Sequence, residues 1–567
     1  MQYFATAFDY DGTLATGGRV SDRTVRALEE VRRTGRKLIL VSGRQLDDLF
    51  DVFPAVTLFD AIVAENGGVL YDGSTRNTEA LADPPSDDFV AELRRQGIKP
   101  LSVGRVIVAT WEPNEQTVLQ VIHDLNLELQ VIFNKGAVMV LPSGVNKASG
   151  LRQALDRLKL SPHNAVAIGD AENDLAFLSS CDCAVAVDNA LDSVKARAHW
   201  VTSGAHGDGV IELANRLIES DLKELNAVLP RRRLSIGRSV DGNDLHVHWQ
   251  EGNLLIAGPS GSGKTSITTA LLESFCKAQF QFCVIDPEGD YDDLACTIPL
   301  RSSDQRTLVD ETMRVLSYPE NNAVVNLMDL RLDDRPQFLH LLLPRILELR
   351  SKTGRPHWIV IDEAHHLLPA SESPTQAILK ALENNVVLVT VHPDHVASQA
   401  LEFVTAAAIV GSEPDRTVGA FRRGRGESEI ALPPHENDPK LTWWLRVGSS
   451  PVRFQPIAPA AERQRHHRKY AAGELGEDRS FYFRGPNAQL NLRAQNLDRF
   501  IQIGDGVDDP TWEFHLRRHD ISSWFRDVIK DEELAAEAAQ IEDEDVDAAE
   551  TRKRIRHAIE RRYTTPA

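Results

Sequence analysis

Two aspartates one residue apart, Asp9 and Asp11, close a hydrophobic run at Phe8-Asp9-Tyr10-Asp11-Gly12-Thr13-Leu14. Residues two apart on a strand share a face, so both carboxylates can converge beyond the strand's carboxyl end. Such a pair suits phosphoryl transfer, one carboxylate attacking phosphorus and the other moving the proton. Three further stations follow. Leu38-Ile39-Leu40-Val41 leads into Ser42-Gly43-Arg44, where the Ser42 hydroxyl and nearby N–H groups can hold a phosphate oxygen. Asn146-Lys147 opens a helix near Ala148 and supplies a fixed cation. Val166-Ala167-Ile168-Gly169 leads into Asp170, with Asp174 just beyond. Acids there, facing Asp9, would complete the oxygen-rich site that magnesium prefers.

A second phosphate site begins at Asn253-Leu254-Leu255-Ile256-Ala257, a strand pattern running into Gly258-Pro259-Ser260-Gly261-Ser262-Gly263-Lys264-Thr265-Ser266 and then a helix pattern. This is a full P-loop. Its glycines let backbone N–H groups close around phosphates, and the helix N-terminus adds its positive dipole end. Lys264 would reach the outer phosphates of ATP and Thr265 the magnesium. About a hundred residues on, Trp358-Ile359-Val360-Ile361 ends in Asp362, suited to the magnesium shell, and Glu363, which can orient a water. That glutamate points to hydrolysis and away from a kinase. His365-His366 lacks a third ligand at metal spacing, so a zinc site is not expected there.

The elements that must carry these groups are buried strands feeding loops and helices, an α/β pattern, in a chain of 567 residues, too long for one domain. A net charge of −20 argues against wholesale coating of nucleic acid. No charged apolar leader precedes the first strand, and no apolar run approaches the ~20 residues that span a bilayer. Of five cysteines none has paired metal spacing; Cys181-Asp182-Cys183 reads as buried thiols between a helix and a strand. The expectation is a cytoplasmic chain with no membrane partner.

The order Asp9/Asp11, Ser42, Lys147, Asp170/Asp174 resembles the haloacid-dehalogenase (HAD) phosphatase superfamily over about residues 1–220. By that resemblance Asp9 is the nucleophile, Asp11 the general acid/base, and Ser42 and Lys147 bind the phosphoryl group. Magnesium would be held by Asp9, the Asp11 carbonyl and Asp170, with Asp174 in support. Glu65-Asn66-Gly67-Gly68 and Asp208-Gly209-Val210 look like the subgroup that dephosphorylates phosphosugars and phosphoglycolate, in which a cap is inserted. Residues 80–142 fit that cap, with strand patterns over Arg105–Trp111, Glu128–Phe133 and Ala137–Leu141 and helix patterns over Asp87–Gln96 and Glu115–Leu125. The implied fold is a Rossmann-like core with an α+β cap, acting on a small phosphorylated metabolite.

Phe282-Cys283-Val284-Ile285-Asp286-Pro287-Glu288-Gly289-Asp290, with the P-loop and Asp362-Glu363, resembles the HerA/FtsK branch of ring ATPases over about residues 233–455. By it, Glu288 and Asp290 lie near the nucleotide, and an arginine of a neighbouring subunit completes the site. Arg416, Arg422, Arg423 and Arg425 are the candidates. Where that branch would place a sensor glutamine, the chain has Thr390-Val391-His392-Pro393, and extra DNA-engaging domains are not found.

The boundaries expected are 1–225 for the phosphatase, 233–455 for the ATPase, 456–478 for a linker with a basic run from Arg463 to Lys469, and 479–567 for a small α+β domain. Pro230-Arg231-Arg232-Arg233 is expected as an exposed basic linker, Arg499–Ile503 as a strand, and Glu542–Glu550 as part of a closing helix. Two further readings stay open beside the bifunctional enzyme. One is a nucleic-acid end-processing or defence machine; the other is a phosphatase switched by ATP. Few basic residues in the cap (Arg94, Arg95, Lys99, Arg105, Lys135) favour a small molecule over a nucleic acid.

Overall fold

The computed structural model describes the chain apart from residues 135, 250–251, 429, 431, 434–441, 447, 460–474, 476–478, 487–488, 530, 545 and 564–567, and apart from the side chains of 231 and 532. It divides into two compact units: residues 1–233 with 316–320 and 346–357, and residues 234–315 with 321–345 and 358–567.

In the first unit the strands are β1 (Ala5–Asp9), β2 (Lys37–Val41), β3 (Ala61–Ala64), β4 (Val69–Asp72), β5 (Thr78–Ala80), β6 (Ser102–Val103), β7 (Val108–Trp111), β8 (Leu129–Asn134), β9 (Ala137–Pro142), β10 (Ala165–Gly169), β11 (Cys183–Ala186) and β12 (Trp200–Val201). The main sheet runs β12-β11-β10-β1-β2-β3-β4-β5. It is parallel from β12 to β3 and antiparallel beyond. Parallel strands are covered on both faces, which is why β1, β10 and β11 read as unbroken apolar runs. β1 is central, so Asp9, Ser42 and Asp170 emerge together at the sheet's carboxyl edge, where such sheets bind ligands. The cap is a separate sheet, β6-β7-β9-β8. Its own apolar core, with Phe89, Leu93, Val118 and Val121, comes from the helices Asp87–Arg95 and Glu115–Asp124.

The second unit adds β13 (Arg233–Ser239), β14 (Asp244–His248), β15 (Asn253–Ala257), β16 (Phe282–Asp286), β17 (Ile298–Arg301), β18 (Ala323–Asn326), β19 (Trp358–Ile361), β20 (Val386–Thr390), β21 (Val404–Ile409), β22 (Thr442–Arg446) and β23 (Val452–Pro456). They form one sheet ordered β14-β13-β23-β22-β21-β15-β20-β19-β16-β18-β17. β15 pairs in parallel with both β20 and β21. The P-loop therefore leaves from a central strand, and β20 stands between it and β19. The C-terminal region pairs β24 (Phe481–Phe483) with β25 (Leu492–Ala494) and packs them with helices around Phe500, Trp512, Trp524 and Phe525. Among the described residues no helix is long and apolar enough to cross a membrane.

Several expectations are corrected. Arg232 is no exposed linker residue: it is 1% exposed and its guanidinium donates to the buried Asp182 at 2.5 and 2.9 Å and to the Tyr3 hydroxyl at 3.0 Å. Arg499–Ile503 lies in a helix, Leu497–Gly506, whose N-cap Asn496 accepts from the Arg499 N–H at 2.8 Å. Leu497, Phe500 and Gly504 repeat at helical spacing and turn one face inward, which outweighs the β-branched residues. The closing helix is two helices, Glu532–Glu542 and Ala548–Tyr563. Cys181 and Cys183 are buried free thiols, but Cys276 and Cys296 form a disulfide that the sequence did not announce. The expected linker falls largely, and its basic run from Arg463 to Lys469 wholly, outside the described residues, as does Lys135 in the cap.

Candidate functional sites

Asp9 is the last residue of β1 and Lys147 the first of the helix Lys147–Arg157; both are almost wholly buried. The Lys147 ammonium donates to Asp9 and to Asp174 at 2.6 Å each. Asp174 spends its other oxygen on the N–H groups of Asp170 and Ala171, both at 2.9 Å, which fixes the turn after β10. One ligand oxygen each from Asp9, Asp170 and Asp174 lies within 4.8 Å of the others, and among the described residues no other group of acids, histidines and cysteines does so. Burial and the Asp174 carboxylate push the Asp9 acid up to about 8, with Lys147 pulling against them. Burial disfavours the Lys147 ammonium, yet Asp174 and Asp9 hold its pKa above the ordinary lysine value.

Hard oxygen donors in a buried cluster fit magnesium. Gly12 fits the same cluster: its φ is +94°, and a Cβ there would come within 2.3 Å of an Asp170 oxygen. Ser42, buried at the end of β2, accepts from the Arg44 N–H at 3.1 Å, which leaves its own proton to donate.

Asp11 lines the same cavity as Asp9. Its carboxylate is 44% exposed and is held by both Arg44 Nε and Nη2 at 2.7 and 2.8 Å, while Arg44 also reaches Asp48. Two groups to which the motif reading gave no individual role thus help to build the site. Arg44, directly after Ser42-Gly43, is one. Glu65 is the other: in left-handed backbone at φ +51°, it accepts N–H bonds from Arg105, Val106 and Ile107 at 3.0, 2.7 and 3.0 Å, tying the core to the chain entering β7. Over the site lies a cavity of about 650 Å³, reaching from Asp9 and Lys147 to Trp111 and Met139 of the cap.

In the second unit the P-loop follows β15. A Cβ on Gly258 would fall 2.1 Å from the Val410 carbonyl, and Gly261 and Gly263 have φ of +72° and +99°. Ser262 Oγ is buried with no hydrogen-bond partner, and the helix Lys264–Lys277 begins immediately after. A tight loop of N–H groups at a helix start fits a nucleotide phosphate. Lys264 is buried and donates to the Pro259 carbonyl at 2.9 Å; Thr265 and the exposed Ser266 lie in the first helical turn. Burial lowers the Lys264 pKa, opposed by Glu363, Asp362, Glu288 and Asp290. Burial, then Glu363 and Asp286, pushes the Asp362 acid well above the carboxylate range.

Glu288 and Asp290 are placed by Asp286, whose carboxylate accepts from the Glu288, Gly289 and Tyr291 N–H groups at 3.1, 2.7 and 3.0 Å. Glu363 sits in left-handed backbone at φ 45°. Its carboxylate meets His365 Nδ1 at 3.4 Å, and that nitrogen also lies 3.0 Å from the Thr390 hydroxyl. Burial, then repulsion from His366, His392 and His395, holds His365 down at about 3. It is therefore a neutral partner of Glu363, so the contact is polar and not a salt bridge. His365, His366, His392 and His395 form a row along one cavity of about 750 Å³ with Glu363. Only His392 of the last two drew notice in the sequence.

The four arginines separate. Arg416 and Arg423 line that cavity, whereas Arg425 donates to the Leu401 and Val404 carbonyls and, like Arg422, pairs with Glu427.

Residues 6–103 and 105–213 match the family of haloacid dehalogenase-like hydrolases, and residues 245–390 match an AAA ATPase domain. Among curated proteins, the phosphoglycolate phosphatase of Methanothermobacter thermautotrophicus is 30% identical over 223 residues, covering 38% of this chain and 98% of that one. The phosphoglycolate phosphatase of Methanosarcina acetivorans is 27% identical over 226 residues, covering 39% and 99%. A solved haloacid dehalogenase-like hydrolase from Bacteroides thetaiotaomicron is 20% identical, covers 38% of this chain and 99% of its own, and has a TM-score of 0.34. The chain belongs to the haloacid dehalogenase-like hydrolase family through residues 6–213. It is a fusion enzyme, a HAD-type phosphatase domain followed by an AAA ATPase domain.

Proposed function

We propose that the chain is a magnesium-dependent phosphatase of a small phosphorylated metabolite, working through an aspartyl-phosphate, joined to a domain that hydrolyses ATP. The observation that carries the first half is the convergence of Asp9, Lys147, Asp170 and Asp174 at one sheet edge beneath the cap. Asp9 attacks phosphorus and the bond to the leaving oxygen breaks; Asp11 gives that oxygen a proton. Asp11 then takes a proton from water, which attacks the acyl phosphate and frees Asp9 and inorganic phosphate. Ser42 and Lys147 hold the phosphoryl oxygens. Asp9, the Asp11 carbonyl and Asp170 would hold magnesium, with Asp174 in support, and the bound ion supplies neutralisation of phosphoryl charge.

Asp9→Asn tests this, because the amide is nearly isosteric but a poor nucleophile. Phosphatase turnover is expected to vanish while ATP hydrolysis persists. Retention of more than about a tenth of the wild-type phosphatase rate would remove Asp9 as nucleophile.

For the second half, Gly258, Gly261, Ser262, Gly263, Lys264, Thr265 and Ser266 would hold the ATP phosphates and Asp362 the magnesium shell, with Glu363 orienting water. A HerA-like ring is the assembly we favour, with Arg416 or Arg423 as the arginine offered to a neighbour, since these two line the cavity with Glu363 while pairing with Glu413 and Asp394. A cytoplasmic setting suits an enzyme consuming ATP; the Cys276–Cys296 disulfide is the feature pulling the other way.

A further inference from the structure

The cap sheet turns one face toward Asp9, and its register says which side chains stand there. Along β7, Val108 and Thr110 are buried on one face, while Ala109 and Trp111 point the other way. Ala109 lies opposite Met139 and Trp111 opposite Ala137 in β9; Asn134 of β8 is also paired with Ala137. All five of these cleft-facing residues line the cavity above the acids. Trp111 leaves 53% of its surface exposed, a large aromatic plane in the wall of the cleft.

Charge divides the same cavity. Among the described residues its charged lining groups are Asp9, Asp11, Asp48, Arg44 and Lys147, and none of these belongs to the cap. Both cations are engaged: Lys147 by Asp9 and Asp174, Arg44 by Asp11 and Asp48. An anionic leaving group would meet no uncommitted cation among the described residues and would face Asp11 and Asp48. Asn173 Oδ1, on the core side, is buried without a hydrogen-bond partner and can accept from a hydroxyl.

We propose that the phosphatase cleft selects a phosphomonoester whose leaving group is an uncharged ring lying with its apolar face on Trp111, and that it discriminates against short carboxylated esters such as 2-phosphoglycolate. This rests on the phosphatase reading above. The face of a sugar ring and that of a heteroaromatic ring present the same flat apolar surface to an indole. A two-carbon acid can neither cover Trp111 nor find a partner for its carboxylate, and burying an unpaired charge is unfavourable.

Steady-state kinetics of the full chain with a hexose 6-phosphate, pyridoxine 5′-phosphate and 2-phosphoglycolate decide it. At least one ring ester is expected to exceed 2-phosphoglycolate in kcat/KM by roughly tenfold or more, and the ring that leads identifies the source. In Trp111→Ala the ratio of ring ester to 2-phosphoglycolate should fall roughly tenfold, chiefly through KM, and Trp111→Phe should restore most of it. Lys135→Ala, which follows Asn134 in the sequence, is measured in parallel. If 2-phosphoglycolate is the best substrate, or loses its advantage only in Lys135→Ala, the inference falls while the phosphatase reading stands. It falls equally if Trp111→Ala lowers all three esters by one factor. If the wild-type chain turns over none of them, the phosphatase reading falls with it.

Discussion

Lys264 and Glu363 lie close enough to interact electrostatically but should fail differently when changed. Lys264 is a buried cation at the phosphate loop, so Lys264→Ala is expected to weaken nucleotide binding itself. Glu363→Gln keeps size and loses only the charge that polarises water, so binding should persist while turnover falls by roughly two powers of ten. Nucleotide affinity and hydrolysis, measured for both variants, check this; normal ATP hydrolysis by Glu363→Gln would mean that another group positions the water. The Asp362-Glu363 pair is legible because it ends a strand of four apolar residues. The partner of Glu363 is not legible: His365 turns toward it because Thr390, 25 residues on, lies 3.0 Å from the same ring nitrogen.

Elements, too, are held by charges the sequence does not pair. Asp182 enters β11 fully buried, and Arg232 reaches it from 50 residues away. Breaking such a pair leaves one charge buried and alone, which costs ~3–5 kcal/mol. Arg232→Leu should therefore lower the urea midpoint of the full chain steeply, and an Asp182→Asn partner change should recover part of the loss. A shift under ~1 kcal/mol would assign the pair no structural role.

Acid should act on the loop after β19. His365 titrates at about 3 in the folded chain against an ordinary value of 6.5, so between these the unfolded chain binds a proton that the native one does not. Stability then falls as pH drops through 6.5 toward 3. His365→Gln should flatten that decline in unfolding measured from pH 7 to pH 4.

At the scale of the whole molecule the question is whether the ATPase works alone. If an arginine from a second copy completes the site, specific ATPase activity should rise with protein concentration and with nucleotide-driven assembly. Arg416→Ala or Arg423→Ala should then stop turnover but keep nucleotide. Mixing the inactive arginine variant with Glu363→Gln should restore part of the activity, because some interfaces regain both groups. A strict monomer by light scattering, with full activity at every concentration, would sink the ring and move an ATP-governed switch ahead of it.

By itself the sequence determined both folds' active edges. Buried parallel strands read as continuous apolar runs, and the polar residues that follow them at once, Asp9, Ser42, Asp170, Gly258 and Asp362, can only emerge at the carboxyl ends. What the tertiary structure decided were the relations between distant residues. Lys147 lies 138 residues from Asp9, and no local pattern says that it will be shared with Asp174. That Asp11, in the same cleft as Asp9, gives its carboxylate to Arg44 is likewise decided by the fold. The Cys276–Cys296 link, the histidine row and Trp111 in the cleft wall arise in the same way. Spacing along the chain fixes which residues share a strand end. Only packing fixes which ends meet.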